Sequence, residues 1–214
     1  MPIFTQNRDD NPNFHDVEEK LSRIINENTE ISSSWISRAH FYFDYGMWKQ
    51  SANDFKNALR LGDNENEIHW YLAQSYFLSG QYKESINEWS NLINKETEES
   101  TLYSSRGWTY RKNGDYKLSE ADYTKAISLT PDTEEYIGSI IHYHYFRGQL
   151  YCEMLEYQKA IQDFKLVLTK SPGWGACEAW LKDAERAFKQ NLPFTEENFY
   201  LYKGHPGFVE MRPV

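Results

Sequence analysis

Six histidines, two cysteines and several paired carboxylates are the residues of this 214-residue chain that could do metal or covalent chemistry. Their spacing argues against it. A zinc site on a helix uses histidines at i and i+4, on one face. His142 and His144 are two apart, on different faces, and the other histidines are scattered. His69 and His144 instead recur in one slot of a repeating pattern, which reads as a structural role. Cys152 and Cys177 show no metal-ligand spacing and lie in helical segments, so they read as small buried apolar residues rather than a disulfide. Glu98 with Glu99, and Glu134 with Glu135, read as solvated faces and helix starts, where carboxylates meet the positive end of the helix dipole. There is no phosphate-binding glycine loop, no dinucleotide fingerprint and no nucleophile motif. The chain is therefore expected to be non-enzymatic, with no cofactor and no metal.

What the sequence does supply is binding material. Aromatics make up 16% of the chain, with 16 Tyr and 7 Trp, and Trp, Tyr and Arg dominate binding hot spots. Arg111 and Lys112 could fix a carboxylate. The net charge of −9 disfavours phosphate backbones, so nucleic acid is not an expected partner. No run approaches the 18 or so apolar residues that span a bilayer, so no membrane partner is expected. The opening "MPIFTQNRDDNPNF" has neither a basic nor an apolar leader region, which suggests a cytoplasmic protein or a mature form whose signal has been removed.

The elements that would position these residues come from a repeat. Glycine and proline total only 18 residues, and long polar–apolar periodicities point to helices. Gly46, Gly80 and Gly114 are spaced by 34. Upstream of each lies a shared pattern: Trp35, Ala39, Tyr42; then His69, Ala73, Tyr76; then Tyr103, Gly107, Tyr110. A fourth copy reads His144, Gly148, Tyr151, followed by Leu155, Tyr157, Ala160, Phe164 and Pro172. The chain resembles the tetratricopeptide repeat family, whose 34-residue unit is a helix-turn-helix with the pattern W-x2-L-G-x2-Y…A-x3-F…P.

The resemblance implies an all-α fold, a right-handed superhelical stack of about four units with N- and C-terminal capping helices. Residues 1–31 form the leading segment and cap helix. The units span 32–65, 66–99, 100–140 with a seven-residue extension into the next, and 141–173. Residues 174–191 form the closing helix and 192–214 an aromatic tail. Within each unit a small residue on the first helix (Ala39, Ala73, Gly107, Gly148) makes room for a large one on the second (Phe55, Trp89, Tyr123, Phe164). Arg38, Arg106 and Arg147 occupy the family's leucine slot and are expected to loosen local geometry. Leu155 replaces the turn glycine in the fourth unit.

Leu155 lies 41 residues after Gly114, seven more than the period. Seven residues are two helical turns, so the fourth unit's first helix is expected to start near Thr133 and run about 10 Å longer than its neighbours. Its added part carries Tyr136, Ile137, Ile140 and Ile141. A stack must be capped. Phe14, Val17, Leu21, Ile24 and Ile25 form the apolar face of a leading helix; Cys177, Trp180, Leu181, Ala184 and Phe188 form that of a closing one. Lys182, in the small-residue slot, is expected to end the array. The tail is expected to form a short helix near Thr195–Tyr202, continue extended, and fold back on the array.

In the family, first helices line a concave groove that holds a peptide or helix of another protein. Carried over, the resemblance places Ile36, His40, Phe43, Trp70, Gln74, Phe77, Trp108, Arg111, Lys112, Tyr145 and Gln149 in a partner-binding groove, with Asp44, Glu67 and Glu153 beside them. Phe43, Trp70, Phe77, Trp108 and Tyr145 would form a row of rings open to water, or pack on each other or under the tail. Ile36 and His40 stand where the carboxylate clamp of chaperone-binding members begins, which argues against that ligand. The expected function is a non-enzymatic adaptor that binds another protein. An inhibitor or immunity-type protein that neutralises an enzyme or toxin is the alternative, and self-association is possible.

Overall fold

The structure, a computed structural model, describes residues 12–195 and 197–199. Among them are ten α-helices, one 3-10 turn and no strand. In chain order they are α1 (Phe14–Glu27), α2 (Ser32–Asp44), α3 (Trp48–Arg60), α4 (Asn66–Leu78), α5 (Tyr82–Lys95), α6 (Ser100–Asn113), α7 (Tyr116–Leu129), α8 (Ile137–Glu153), α9 (Tyr157–Lys170) and α10 (Gly175–Gln190). None is long and apolar enough to cross a membrane. The helices pack as consecutive pairs, α2 with α3, α4 with α5, α6 with α7 and α8 with α9. The described residues divide into two compact units, one up to residue 97 and one from residue 98 on.

Each pair turns in the same way. The amides of Met47, Gln81, Asp115 and Glu156 each reach back five residues, to the carbonyls of Tyr42, Tyr76, Tyr110 and Tyr151, at 2.8–2.9 Å. That closure forces a left-handed residue just before it. Gly46, Gly80 and Gly114 take it at φ 72°, 80° and 89°. Leu155 takes it at φ 60° with its side chain 57% exposed, a conformation that strains any residue with a Cβ. Trp48 and Tyr82 fold back over their turns, with ring centroids 5.2 Å from Phe43 and 5.7 Å from Phe77.

The helices of a pair cross closely because small residues meet. Ala39 packs in one core with Phe55 and Gly148 lies against the Phe164 ring; Ala73 and Trp89 are likewise buried, and the three large side chains are no more than 1% exposed. Ser85 and Ser119 donate to the carbonyls of Ala73 and Gly107, at 2.9 and 2.7 Å. In the N-terminal unit, Ala39, Ala52, Phe55, Ala58, Ile68, Leu72 and Tyr76 form one core. In the C-terminal unit Tyr123, Leu150, Phe164, Val167 and Cys177 are fully buried. Each such large side chain contributes about 1.5–3 kcal/mol by leaving water.

The arginines in the leucine slot do not loosen the pairs. Each reaches across to an aspartate of the second helix and holds it through two bonds: Arg38 to Asp54 at 2.6 and 2.9 Å, Arg106 to Asp122 at 2.8 and 2.9 Å, Arg147 to Asp163 at 2.9 and 2.8 Å. His69 Nδ1 meets Glu88 at 2.7 Å and His144 Nδ1 meets Asp163 at 2.7 Å. One acidic position of the second helix thus recurs in every unit, and a cation or imidazole from the first helix answers it.

Three further expectations need correction. The long first helix starts at Ile137, not near Thr133, and with 17 residues exceeds its neighbours by about 5 Å, not 10. A 3-10 turn at Glu134–Tyr136, closed by Tyr136 N to Thr133 O at 3.1 Å, takes up the remaining residues. Val17 and Ile24 of α1 are 37% and 39% exposed, while Phe14 and Ile25 carry its contact. On α10 the packed face is Cys177, Trp180, Ala184 and Ala187, and Phe188 is 49% exposed.

The start of the tail does fold back. Tyr157 donates to the Leu192 carbonyl at 2.7 Å, and Arg186 donates to that of Asn198. Phe199, 1% exposed, lies with its ring 5.6 Å from Trp180 and 4.6 Å from Phe194. The amides of Asn198 and Phe199 both donate to the Thr195 carbonyl at 3.0 Å; the rest of the expected tail helix and the extended chain after it fall outside the described residues.

Candidate partner-binding faces

The eleven expected site residues divide between the units. Ile36, His40, Phe43, Trp70, Gln74 and Phe77 lie in the N-terminal unit; Trp108, Arg111, Lys112, Tyr145 and Gln149 lie in the C-terminal one. In both, first helices present them, but in very different states.

On the α2–α4 face, helical spacing aligns Ile36, His40, Phe43 and Asp44 on α2, and Glu67, Trp70, Tyr71, Gln74 and Phe77 on α4. Tyr71 ties the helices together. Its ring lies 4.4 Å from His40, 5.1 Å from Phe43 and 5.0 Å from Trp70, each edge to face. Phe43 is buried, whereas Ile36, His40, Trp70, Tyr71 and Phe77 are only half-buried. Gln74 is 7% exposed, and among the described residues its amide has no hydrogen-bond partner. Asp44 and Glu67 are exposed, and among the described residues neither has an ion-pair partner. Burial lowers the His40 pKa, against the opposing pull of Glu67 and Asp44. Burial, then Glu67 and Asp44, raise that of Tyr71. Both carboxylates therefore bear on the same two rings.

On the α6–α8 face the expected sites are largely closed. Trp108, Tyr145 and Gln149 are 4–5% exposed. Arg111 holds Glu153 through Nε at 3.1 Å and Nη2 at 2.7 Å, and donates through Nη1 to Gln149 Oε1 at 3.0 Å. Burial works to lower the Arg111 pKa, and Glu153 more than offsets it. The carboxylate that Arg111 was expected to take from a partner is the chain's own. Arg111 and Lys112 both sit 5.1 Å from the Trp108 ring centroid, within cation–π reach. Tyr145 packs 4.5 Å from Trp174, and Trp108 packs 5.0 Å from Phe146. Among the described residues Ser104 Oγ and Trp108 Nε1 have no hydrogen-bond partner, yet both atoms are sealed from the surface.

The expected row of water-touching rings therefore reduces to Trp70 and Phe77; Phe43, Trp108 and Tyr145 are buried in ring packing. Sequence reasoning missed Tyr71 and Trp174. Tyr71 had a signal, since it lies four residues after Glu67 and three before Gln74 on one helical stripe. Trp174 stands in the loop before α10, where no periodicity could place it. Both cysteines are free and buried, and burial raises both thiol pKa values, that of Cys177 to about 12. Among the described residues no group of three or more His, Cys, Asp or Glu is placed to hold a metal ion.

Residues 100–133 match the family model described as tetratricopeptide repeat. No curated protein matches the chain. Among solved structures, a crystal structure of MamA is similar over 73% of this chain and 88% of its own, at 18% identity and TM-score 0.62. The C-terminal part of a TPR repeat-containing protein from Cytophaga hutchinsonii is similar over 84% of this chain and 68% of its own, at 18% identity and TM-score 0.68. YrrB, described as a TPR protein with an unusual peptide-binding site, is similar over 81% of this chain and 86% of its own, at 18% identity and TM-score 0.59. At these identities the likeness is one of fold.

Proposed function

We propose that this chain, which belongs to the tetratricopeptide repeat family, is a non-enzymatic module that binds a segment of another protein through the α2–α4 face. One observation carries the reading: Trp70, Tyr71 and Phe77 remain half-exposed beside two carboxylates, Asp44 and Glu67, and the Gln74 amide, none of which has a partner among the described residues. Half-exposed rings gain by being covered, and such anchors supply most of the energy of an interface. The α6–α8 face offers less, because Arg111 is already spent on Glu153 and Gln149. Trp108, Tyr145, Gln149 and Arg111 act through the integrity of their unit, and Lys112 lies at its rim.

The test is site-specific photocrosslinking. A photoreactive residue in place of Ile36 or Phe77 should capture the partner; one in place of Phe188 should not. Trp70→Ala should abolish capture while the far-ultraviolet circular dichroism stays unchanged. Capture from Phe188 alone would move the site to the second-helix surface. A product twice the chain's own mass would make self-association the function of this face.

A further inference from the structure

The α2–α4 face carries enough chemistry to say what kind of segment it takes, provided that it is the partner-binding face. Three features converge there. Asp44, one turn after His40 on α2, and Glu67, one turn before Tyr71 on α4, are exposed and flank the His40 and Tyr71 rings, which lie 4.4 Å apart; among the described residues neither carboxylate has an ion-pair partner. The neighbouring Trp70 and Tyr71 rings, 5.0 Å apart, offer π faces beside that negative pair. Gln74, one turn on from Trp70 and Tyr71, is 7% exposed, and its amide has no hydrogen-bond partner among the described residues.

Each feature narrows the occupant. Two unpaired carboxylates repel acidic partners and attract a cation, and ring faces add to that attraction. A carboxamide presents an NH2 donor and a C=O acceptor side by side, and those of Gln74 have no partner among the described residues. The backbone of an extended segment offers that pair, N–H and C=O both free. A helix does not, because its backbone groups are already bonded to one another. The apolar surface of Ile36 and Phe77 on either side suits hydrophobic neighbours of the cation.

We propose that the α2–α4 face binds an extended protein segment in which a lysine or arginine lies between apolar residues. The cation sits between Asp44 and Glu67 against the Trp70 and Tyr71 rings, and Gln74 pairs with the segment's backbone.

The proposal can be tested with two fluorescein-labelled synthetic peptides of equal length, one alternating leucine with lysine and the other leucine with glutamate, titrated by fluorescence anisotropy into the full chain. The lysine peptide should bind, and the glutamate peptide should not. Any acidic protein attracts a basic peptide, so the decisive comparison is between two variants of equal charge. Asp44→Asn with Glu67→Gln should weaken the lysine peptide by at least about tenfold, whereas Glu134→Gln with Glu135→Gln should change it less than about twofold. Gln74→Leu should weaken it as well, at unchanged salt dependence. Equal losses in the two charge variants, or equal binding of the two peptides, would overturn the proposed chemistry while leaving the crosslinking result at Ile36 and Phe77 standing. Loss of that crosslinking would remove the face itself.

Discussion

The two units present corresponding helix faces and treat them oppositely. On α6 and α8 the charged and aromatic groups are spent on each other: Arg111 on Glu153 and Gln149, Tyr145 on Trp174, Trp108 on Phe146. On α2 and α4 the rings also touch, but among the described residues Asp44, Glu67 and the Gln74 amide are left unmatched. The same repeat can thus stabilise itself or hold chemistry in reserve. Which it does depends on whether a facing helix supplies the complementary charge. Glu153 does so for Arg111, and nothing on α2 or α4 does so for Asp44 or Glu67.

The sharpest way to break this contrast is to remove one carboxylate from each face. Glu153→Ala leaves the Arg111 guanidinium, 9% exposed, without its counter-charge. Losing one partner of a buried pair costs about 3–5 kcal/mol, so the urea midpoint should fall steeply. Glu67→Ala removes an exposed carboxylate of the first turn of α4 and should cost no more than about 1 kcal/mol, with the larger loss appearing in binding. Equal destabilisation by the two would mean that the faces do not differ in the way described.

Parts of this arrangement were legible in the sequence and parts were not, for physical reasons. The 34-residue step of Gly46, Gly80 and Gly114 was legible because a left-handed backbone selects glycine. The small-on-large pairing of Ala39 with Phe55 was legible because close helix crossings limit volume on one side. The Arg38–Asp54 type of pair was hidden because its partners are 16 residues apart and the arginine stands in an apolar slot. The state of the α6–α8 face was hidden more deeply. It depends on Arg111 meeting a glutamate 42 residues on, and on a tryptophan in a loop. Burial depends on such long-range matches, whereas helix facing needs only local spacing.

The crossings of the C-terminal unit are made at glycines, where those of the N-terminal unit have Ala39 and Ala73. A Cβ added at Gly148 would come 2.6 Å from the buried Phe164 ring, so Gly148→Ala should cost about 1–3 kcal/mol. At Gly107 the nearest atom is Asp122 Cβ at 3.2 Å, and Gly107→Ala should cost less. Gly107→Leu would overpack its pair by about 1–3 kcal/mol. The Leu155 turn works in the other direction. Leu155→Gly removes a left-handed residue with a Cβ and should stabilise the unit by about 1 kcal/mol, read as a rise in the thermal midpoint.

The smallest effect expected belongs to the open face. His40 rests edge-on against Phe55 at 5.1 Å and Tyr71 at 4.4 Å, with Asp44 on its own helix and Glu67 and Tyr71 on α4. Burial holds its pKa below the ordinary histidine value of 6.5 even with the two carboxylates nearby. The folded chain therefore takes up this proton less readily than the unfolded chain. Stability from neutral His40 is fully present above the unfolded pKa. It is lost as pH falls from there through the lower folded value. Between pH 7.5 and 5.5 the wild type should lose slightly more stability than His40→Gln. Below the folded pKa an imidazolium beside Asp44 and Glu67 would occupy the place of the proposed lysine or arginine, so binding of the lysine peptide should weaken with acid in the wild type and less in His40→Gln. A histidine titration followed by NMR that places His40 at or above 6.5 would show that the carboxylates, not burial, govern this ring.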